Sequence, residues 1–200
     1  MVGFSSARAA AAPPPAAEQS LVDRVGETGF VQLHADSFND VPLKAKIEAY
    51  WLSMAAIAVD PIVYDQNSVY GLREKRLLDE ILTHSRGIDP AAMEKITRYA
   101  KLFWGNRGNH NAFTSRKFLP DFTPRELQAA AEQALRNGAR LGSRSRLARE
   151  LGDLARPIFD ANFEPMLTVK NPPSGEDALL RSANNLYQGV RSSDLEGFQE

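Results

Sequence analysis

Apolar residues recur at helical spacing in five segments between residues 42 and 157, and prolines or glycines separate these segments. The first segment begins after Pro42. We expect it to end at Asp60-Pro61, because proline removes a backbone donor and disfavours helical backbone in the residue before it. The other four cover residues 68–83, 89–104, 123–137 and about 145–153 or beyond. This periodicity predicts a mainly α fold of about six helices, the sixth being a short helix over residues 176–183.

Two of these helices carry sequence signals in their first turn. Asp89 precedes Pro90, which places an N-cap residue before proline at the first helical position. Thr123 and Glu126 flank Pro124 in the spacing of a capping box, in which each side chain can bond the backbone of the other residue. Both signals predict helix starts at these prolines.

Short extended segments are expected beside the helices. Val31, Leu33 and Ala35 alternate with polar residues inside the segment 30–38, which favours a strand. A second extended segment is expected near residues 166–169. The fold prediction is therefore mainly α with one or two short extended pieces.

The overall composition excludes several classes of function. With 43% hydrophobic and 24% charged residues among 200, the chain can bury a core, and its net charge of -1 creates no general attraction to nucleic acid or an anionic membrane. The absence of cysteine excludes disulfides, thiolate metal ligands and a cysteine nucleophile. It also fits a reducing compartment, so a cytoplasmic location is expected, with a periplasmic location as the alternative. No apolar run is expected to cross a bilayer. From the net charge and this absence together, we expect neither a nucleic-acid nor a membrane partner.

The amino-terminal residues differ from the rest of the chain. Residues 1–20 are rich in alanine and proline and are expected to be disordered, because such sequence cannot build a packed core. A secretory signal is not favoured, since Arg8 interrupts the apolar run and three prolines follow. Residues 21–200 are expected to form the helical portion.

A polar loop, GNRGNHNAFTSRKFLPDF, follows the third helix. Asn106, Asn109 and Asn111 offer amide donors and acceptors that a peptide backbone needs, and Phe113 offers an apolar wall. The alternative is that these asparagines serve the turn itself, since asparagine stabilises tight turns and tolerates left-handed backbone.

The stretch from Tyr99 to Phe122 resembles a helix-loop block of the dipeptidyl peptidase III family. In that block an N-x-G-N element precedes an aromatic residue and a K-F-x-P run, here found as residues 106–109, Phe113 and residues 117–120. Residues 49–56, 60–66 and 185–198 are similar to further segments of the same family. The resemblance thus spans roughly residues 30–198.

This resemblance implies a two-lobed zinc exopeptidase that releases dipeptides from the amino end of oligopeptides. The chain would belong to the lobe opposite the zinc, with an oligopeptide substrate and the catalytic lobe as its partners. Phe113 would line a substrate subsite, and Asn109 and Asn106 would face the cleft. His110 stands where relatives can carry an aromatic residue, which implies a stacking role.

No catalytic residue and no metal ligand is predicted within these 200 residues. A zinc peptidase site needs two histidines one helical turn apart with a glutamate to activate water. The three histidines, His34, His84 and His110, do not have that spacing. Zinc, the cofactor of the resembled family, would be bound elsewhere. The alternative function is a helical interaction module or scaffold without catalytic activity.

Several other residues receive structural interpretations. Tyr50, Trp51, Tyr99, Phe103 and Trp104 are predicted to lie in the core because of their helical spacing. The charged residues of the second helix are predicted to face solvent, namely Arg73, Glu74, Lys75, Asp79 and Glu80. A basic stretch could form one cationic helix face, and we interpret it as a solvated face or an interface to the missing lobe. It contains Arg136, Arg140, Arg144, Arg146 and Arg149.

Overall fold

A computed structural model describes residues 20–198 and divides the chain into two units at Asp40. The tail predicted to be disordered lies outside the described residues, apart from Ser20. In the first unit, β1 (Leu21–Val25) and β2 (Thr28–Val31) form an antiparallel hairpin, followed by a 3-10 turn at Asp36–Asp40. The strand expected within residues 30–38 therefore ends early at Val31 and pairs with a strand that was not predicted.

The second unit is helical, and the prediction of a mainly α fold is confirmed. The described residues contain five long helices and two short ones. The long helices are α1 (Leu43–Asn67), α2 (Gly71–Thr83), α3 (Pro90–Asn106), α4 (Pro124–Arg136) and α5 (Arg144–Phe159). The short helices are α6 (Ala178–Arg181), inside the segment predicted for it, and α7 (Ser192–Leu195), which was not predicted.

Side-chain caps explain where α3 and α4 begin. The carboxylate of Asp89 accepts a hydrogen bond from the Ala92 N–H at 2.9 Å. At α4, the hydroxyl of Thr123 accepts from the Glu126 N–H at 3.2 Å, and the Glu126 carboxylate accepts from the Thr123 N–H at 2.6 Å. Each cap satisfies donors that the first helical turn leaves free. Both predicted starts are confirmed.

The core lies between α2, α3, α4 and α5. Each helix contributes an apolar stripe at helical spacing, so that their inner faces pack together. The fully buried side chains include Leu77, Leu78, Ile81, Ile96, Phe103, Leu147, Leu154 and Ile158. The predicted core positions of Tyr99 and Phe103 are confirmed. The predicted core position of Trp104 is wrong: its ring is 37% exposed, and its indole N–H donates to Asp79 Oδ1 at 3.0 Å.

Helix α1 does not end at Pro61 as predicted but continues to Asn67. Contacts on both sides of the proline compensate for the missing backbone donor. Asp60 forms an ion pair with Arg107 at 2.8 Å, and the buried ring of Tyr64 stacks on Phe103 with a centroid distance of 5.6 Å. The next helix begins close by, since a Cβ at Gly71 would lie 2.3 Å from the Tyr64 carbonyl oxygen.

The amino-terminal two thirds of α1 leave a large apolar surface exposed. Trp51 is 64% exposed and Tyr50 is 57% exposed, so their predicted core positions are wrong. Seven more apolar side chains of the same helix are exposed: Leu43, Ile47, Leu52, Met54, Ile57, Val59 and Ile62. The 25-residue helix is long and apolar enough to cross a membrane by length and composition. The end predicted at Pro61 gives a shorter helix, so the sequence does not reveal this length.

Candidate functional site

The polar loop after α3 folds into a hairpin, here called the Asn loop (residues 106–118). His110 and Lys117 pair across its base, and the Phe118 N–H donates to the Asn109 carbonyl at 2.9 Å. Its second arm also pairs with the segment around Met166, since the Leu167 N–H donates to the Ser115 carbonyl at 2.7 Å. The extended segment predicted near residues 166–169 thus pairs with the second arm of this hairpin.

Phe113 lies at the tip of the Asn loop and is 98% exposed. Its backbone is held in place, because Asn111 Oδ1 accepts the N–H of Phe113 at 3.0 Å and the N–H of Thr114 at 2.9 Å. The Ala112 N–H, one residue earlier, donates to Asn106 Oδ1 at 2.9 Å. An apolar ring is therefore presented to solvent on a hydrogen-bonded turn.

The other predicted site residues make contacts inside the protein. The Asn106 amide donates to the Leu102 carbonyl at 2.8 Å. Asn109 is 4% exposed and donates to the Pro157 carbonyl at 3.0 Å, while His110 is 2% exposed with Nε2 2.7 Å from the Glu164 carbonyl. These contacts fix the loop to α3, to α5 and to the segment that follows α5. In this structure Asn109 and His110 present little surface to a ligand, and they support the turn that carries Phe113.

The backbone around the Asn loop is unusual. Within residues 20–198, the residues other than glycine with positive φ are Arg107 (54°), Ser115 (60°) and Glu164 (46°). The first ends α3, the second lies in the loop and the third lies in the segment that pairs with it. Left-handed backbone costs energy for these residue types and is enriched at functional sites. The clustering distinguishes this region from the rest of the described chain.

A buried acid lies beneath the loop. Glu74 of α2, predicted to face solvent, is 1% exposed, and its Oε1 accepts a hydrogen bond from the Tyr99 hydroxyl at 2.6 Å. The Asn109 side chain lies close enough to the Tyr99 hydroxyl to lower the pKa of that tyrosine, against the larger effect of burial, and this proximity connects the pair to the Asn loop. Glu74 follows Gly71 by three residues and precedes Leu78 by four, so helical spacing already placed it on the buried face.

Two further charged side chains, Lys117 and Glu164, lie near this pair. The Lys117 ammonium donates to the carbonyls of Asp160, at 3.2 Å, and Phe163. The Glu164 carboxylate accepts a hydrogen bond from the Ser68 hydroxyl at 2.9 Å. In the sequence, Lys117 is recognisable only as part of the K-F-x-P run, which gives no sign of this role. Glu164 precedes a proline between α5 and α6, and nothing in that local sequence marks it as half-buried.

Burial shifts the ionisation of this cluster. It raises the pKa of Glu74 to about 7, against the opposing effects of the Tyr99 hydrogen bond and the Lys117 charge. It lowers the pKa of His110 to about 4, and the nearby Lys117 charge adds to that effect. Burial also lowers the pKa of Lys117 and raises that of Glu164. Each shift favours the neutral form, as expected for groups removed from water.

The described residues do not fit a zinc site. Residues 20–198 contain no group of three or more histidine, cysteine, aspartate or glutamate side chains arranged to hold a metal ion. His110 Nε2 is already engaged with the Glu164 carbonyl, and His84 Nδ1 lies 3.0 Å from the Glu80 carbonyl at the end of α2. The cluster can therefore position a loop, but these side chains do not assemble a metal centre.

Comparison with known proteins adds no family to this description. No protein-family model matches the chain, and no curated protein matches it significantly. The resemblance to dipeptidyl peptidase III therefore depends on the motifs quoted above.

Proposed function

We propose that this chain forms part of the substrate-side lobe of a zinc-dependent dipeptidyl peptidase of the dipeptidyl peptidase III type. In this proposal the ring of Phe113 is an apolar wall against which an oligopeptide substrate packs. The observation that carries the proposal is the near-complete exposure of Phe113 on a turn held by two asparagine side chains. A rigid exposed aromatic residue is well suited to binding, because little conformational entropy is lost when a ligand packs against it.

Asn106, Asn109 and His110 take positioning roles in this proposal. The first two hold the loop by hydrogen bonds to Leu102 and Pro157, and His110 joins it to Glu164. The peptide would contact Phe113 and the exposed backbone of the tip. Asn109 also connects the loop to the buried Glu74–Tyr99 pair, so the position of the tip depends on α2 and α3.

The exposed surface of α1 supports the second half of the proposal, which is a partner lobe. A helix that is apolar on most of its faces is normally covered by protein or by lipid. Asp60 and Tyr64, near its carboxyl end, are anchored to Arg107 and Phe103 of the helical core. We assign the catalytic lobe as the cover of the remaining surface. Zinc and the groups that activate water would lie in that lobe, and the residues described here contribute binding alone.

A helical interaction module without catalytic activity is the second candidate. The same exposed face of α1 supports it, because large exposed apolar patches mark interaction sites. The two candidates differ at the Asn loop. A peptidase lobe binds an oligopeptide at Phe113, whereas a module that acts through α1 has no need of that ring.

Photo-crosslinking tests the proposal directly. A photoreactive phenylalanine analogue replaces Phe113 in the full chain, and the protein is irradiated with an oligopeptide that has a free amino end. We expect crosslinks on the first residues of the peptide, located by mass spectrometry. The same analogue at Phe198, another exposed phenylalanine (76%), is the matched control. Equal crosslinking at both positions contradicts the proposal.

A further inference from the structure

The basic stretch singled out in the sequence is divided among three elements and does not form one helix face. Arg136 belongs to α4, Arg140 lies in the connection to α5, and Arg144, Arg146 and Arg149 belong to α5. Arg140 of the connection and Arg146 of α5 lie beside two arginines of α2. Together they line a cavity of about 570 Å³, whose wall consists of Arg73, Arg76, Arg140, Leu141, Gly142, Arg146 and Glu150. Cavities of this size hold small molecules.

The charges on this wall are unbalanced. Arg73 is neutralised, because its guanidinium pairs with Glu150 at 2.8 Å and with Asp153 at 2.8 Å. In the part of the chain that the structure describes, Arg76, Arg140 and Arg146 have no acidic partner for their guanidinium groups. The nearby Glu80 carboxylate accepts the backbone N–H of Arg140 at 2.7 Å and lies 3.4 Å from His84 Nδ1. Three exposed arginines without an acidic partner among the described residues thus line one cavity.

The backbone of the cavity wall is adapted to this arrangement. Gly142 has φ +78°, and a Cβ there would lie 2.7 Å from Cδ of Arg146. Glycine therefore leaves the space that the Arg146 side chain occupies against the wall. Ser143 caps the 16-residue helix α5 at the same edge, with its hydroxyl accepting the Arg146 N–H at 3.2 Å. The positive end of that helix adds to the field of the arginines.

We propose that this cavity binds a small anion that carries phosphate groups, at a site separate from the Asn loop. A guanidinium group donates two parallel hydrogen bonds and matches the oxygen atoms of a phosphate group. Three such groups from α2, the connection and α5 suit a ligand with more than one phosphate. Leu141 supplies an apolar contact on the same wall. The site is independent of the proposed peptidase function.

The cavity favours a small ligand over a nucleic acid. A nucleic-acid surface places basic side chains along a continuous stripe, commonly with aromatic residues between them. Here the arginines line a single open cavity without an aromatic residue in its wall. Arg149 and Arg136 carry the same charge nearby but do not line it, which provides an internal comparison.

Calorimetric titration of the full chain with inorganic pyrophosphate tests the site, with salt adjusted to about 0.15 M so that surface charges are screened beyond about 8 Å. We expect saturable binding and a rise in melting temperature with ligand concentration. Arg76→Gln and Arg140→Gln should each raise the Kd about tenfold or more. Arg149→Gln removes the same charge from the surface of α5 and should leave the Kd unchanged within about twofold.

Three results overturn the proposal. Equal weakening by Arg76→Gln and Arg149→Gln shows that a general surface field attracts the anion. Heat of binding no greater than that of a chloride control at equal ionic strength shows that there is no site. A single-stranded RNA oligomer that binds more tightly than pyrophosphate and depends equally on Arg149 also contradicts it. The arginine variants lie on the surface, so melting curves of the free variants confirm that each is folded.

Discussion

The hydroxyl of Tyr99 lies 2.6 Å from Oε1 of Glu74, and this hydrogen bond joins α3 to α2 in the interior. Both side chains are buried, and no other acidic side chain of the described residues is classed as buried. The side chain of Asn109, at the base of the Asn loop, lies near the same tyrosine hydroxyl and influences its pKa. The stability of this loop should therefore depend on the ionisation of one glutamate.

The pH dependence of stability tests this connection. Burial raises the pKa of Glu74 from its ordinary 4.5 to about 7, so the folded chain holds this proton more tightly than the unfolded chain. Its contribution is complete below the ordinary pKa and is lost as pH rises through about 7. The unfolding free energy of the wild type should fall by on the order of 2–3 kcal/mol as pH rises, and Glu74→Gln should not show this fall. Denaturant unfolding of both proteins from pH 4.5 to 8 measures it. Glu94→Gln, on the exposed side of α3, should keep the wild-type dependence.

Removal of the Tyr99 hydroxyl should destabilise the fold. Tyr99→Phe keeps the ring that packs against Phe103 and Phe122 but leaves the Glu74 carboxyl without its donor. An unsatisfied buried polar group typically costs about 1–3 kcal/mol. Urea unfolding measures this cost. In the Glu74→Gln background the cost should change, because contacting residues couple, and equal costs in both backgrounds contradict the proposed bond.

His110 should give the opposite pH dependence at the base of the loop. Burial lowers its pKa from 6.5 to about 4, so the stability it contributes is complete above 6.5 and is lost as pH falls toward 4. The loss should be on the order of 2–3 kcal/mol. His110→Gln keeps a donor for the Glu164 carbonyl but does not titrate, and its unfolding free energy should fall less over the same range. Parallel curves for the two proteins contradict this assignment.

The exposed face of α1 should tolerate charge. Trp51→Lys combined with Ile57→Lys alters two exposed side chains, so the unfolding free energy should change by no more than about 1 kcal/mol. Binding of a dye that reports exposed apolar surface should decrease. Tyr64→Ala in the same helix is the control, and it should lower stability by several kcal/mol because its ring is buried against Phe103. If the lysine variant loses as much stability as Tyr64→Ala, these side chains are buried within the chain itself, which contradicts the exposed face of α1.

The parts of the fold that depend on local chemistry could be predicted from the sequence. The caps at Asp89 and Thr123 involve residues three positions apart, and both helix starts are as predicted. The end of α1 could not be predicted, because contacts of Asp60 and Tyr64 with distant residues hold the helix beyond Pro61. Helical spacing places Glu74 on the inward face, whereas the general rule that charged residues face solvent predicts the opposite and is wrong at this position.

The candidate site was predictable only in part. The pattern of asparagine and glycine indicated a structured loop, and the structure presents Phe113 at its tip. The burial of Asn109 and His110 depends on carbonyl groups at Pro157 and Glu164, which lie about fifty residues further along the chain. Local sequence does not reveal such partners. The pairing of residue 116 with residue 166 is distant in the same way.

The binding affinity of a labelled oligopeptide for the full chain and for Phe113→Ala tests the central claim most directly. The ring is 98% exposed, so we expect the variant to unfold within about 0.5 kcal/mol of wild type, whereas Phe103→Ala in the core should lose about 3–5 kcal/mol. Fluorescence anisotropy should show binding to wild type and a Kd raised about fivefold to a hundredfold in Phe113→Ala, with Phe198→Ala unchanged. No peptide binding to wild type, or the same Kd for wild type and Phe113→Ala, contradicts the account.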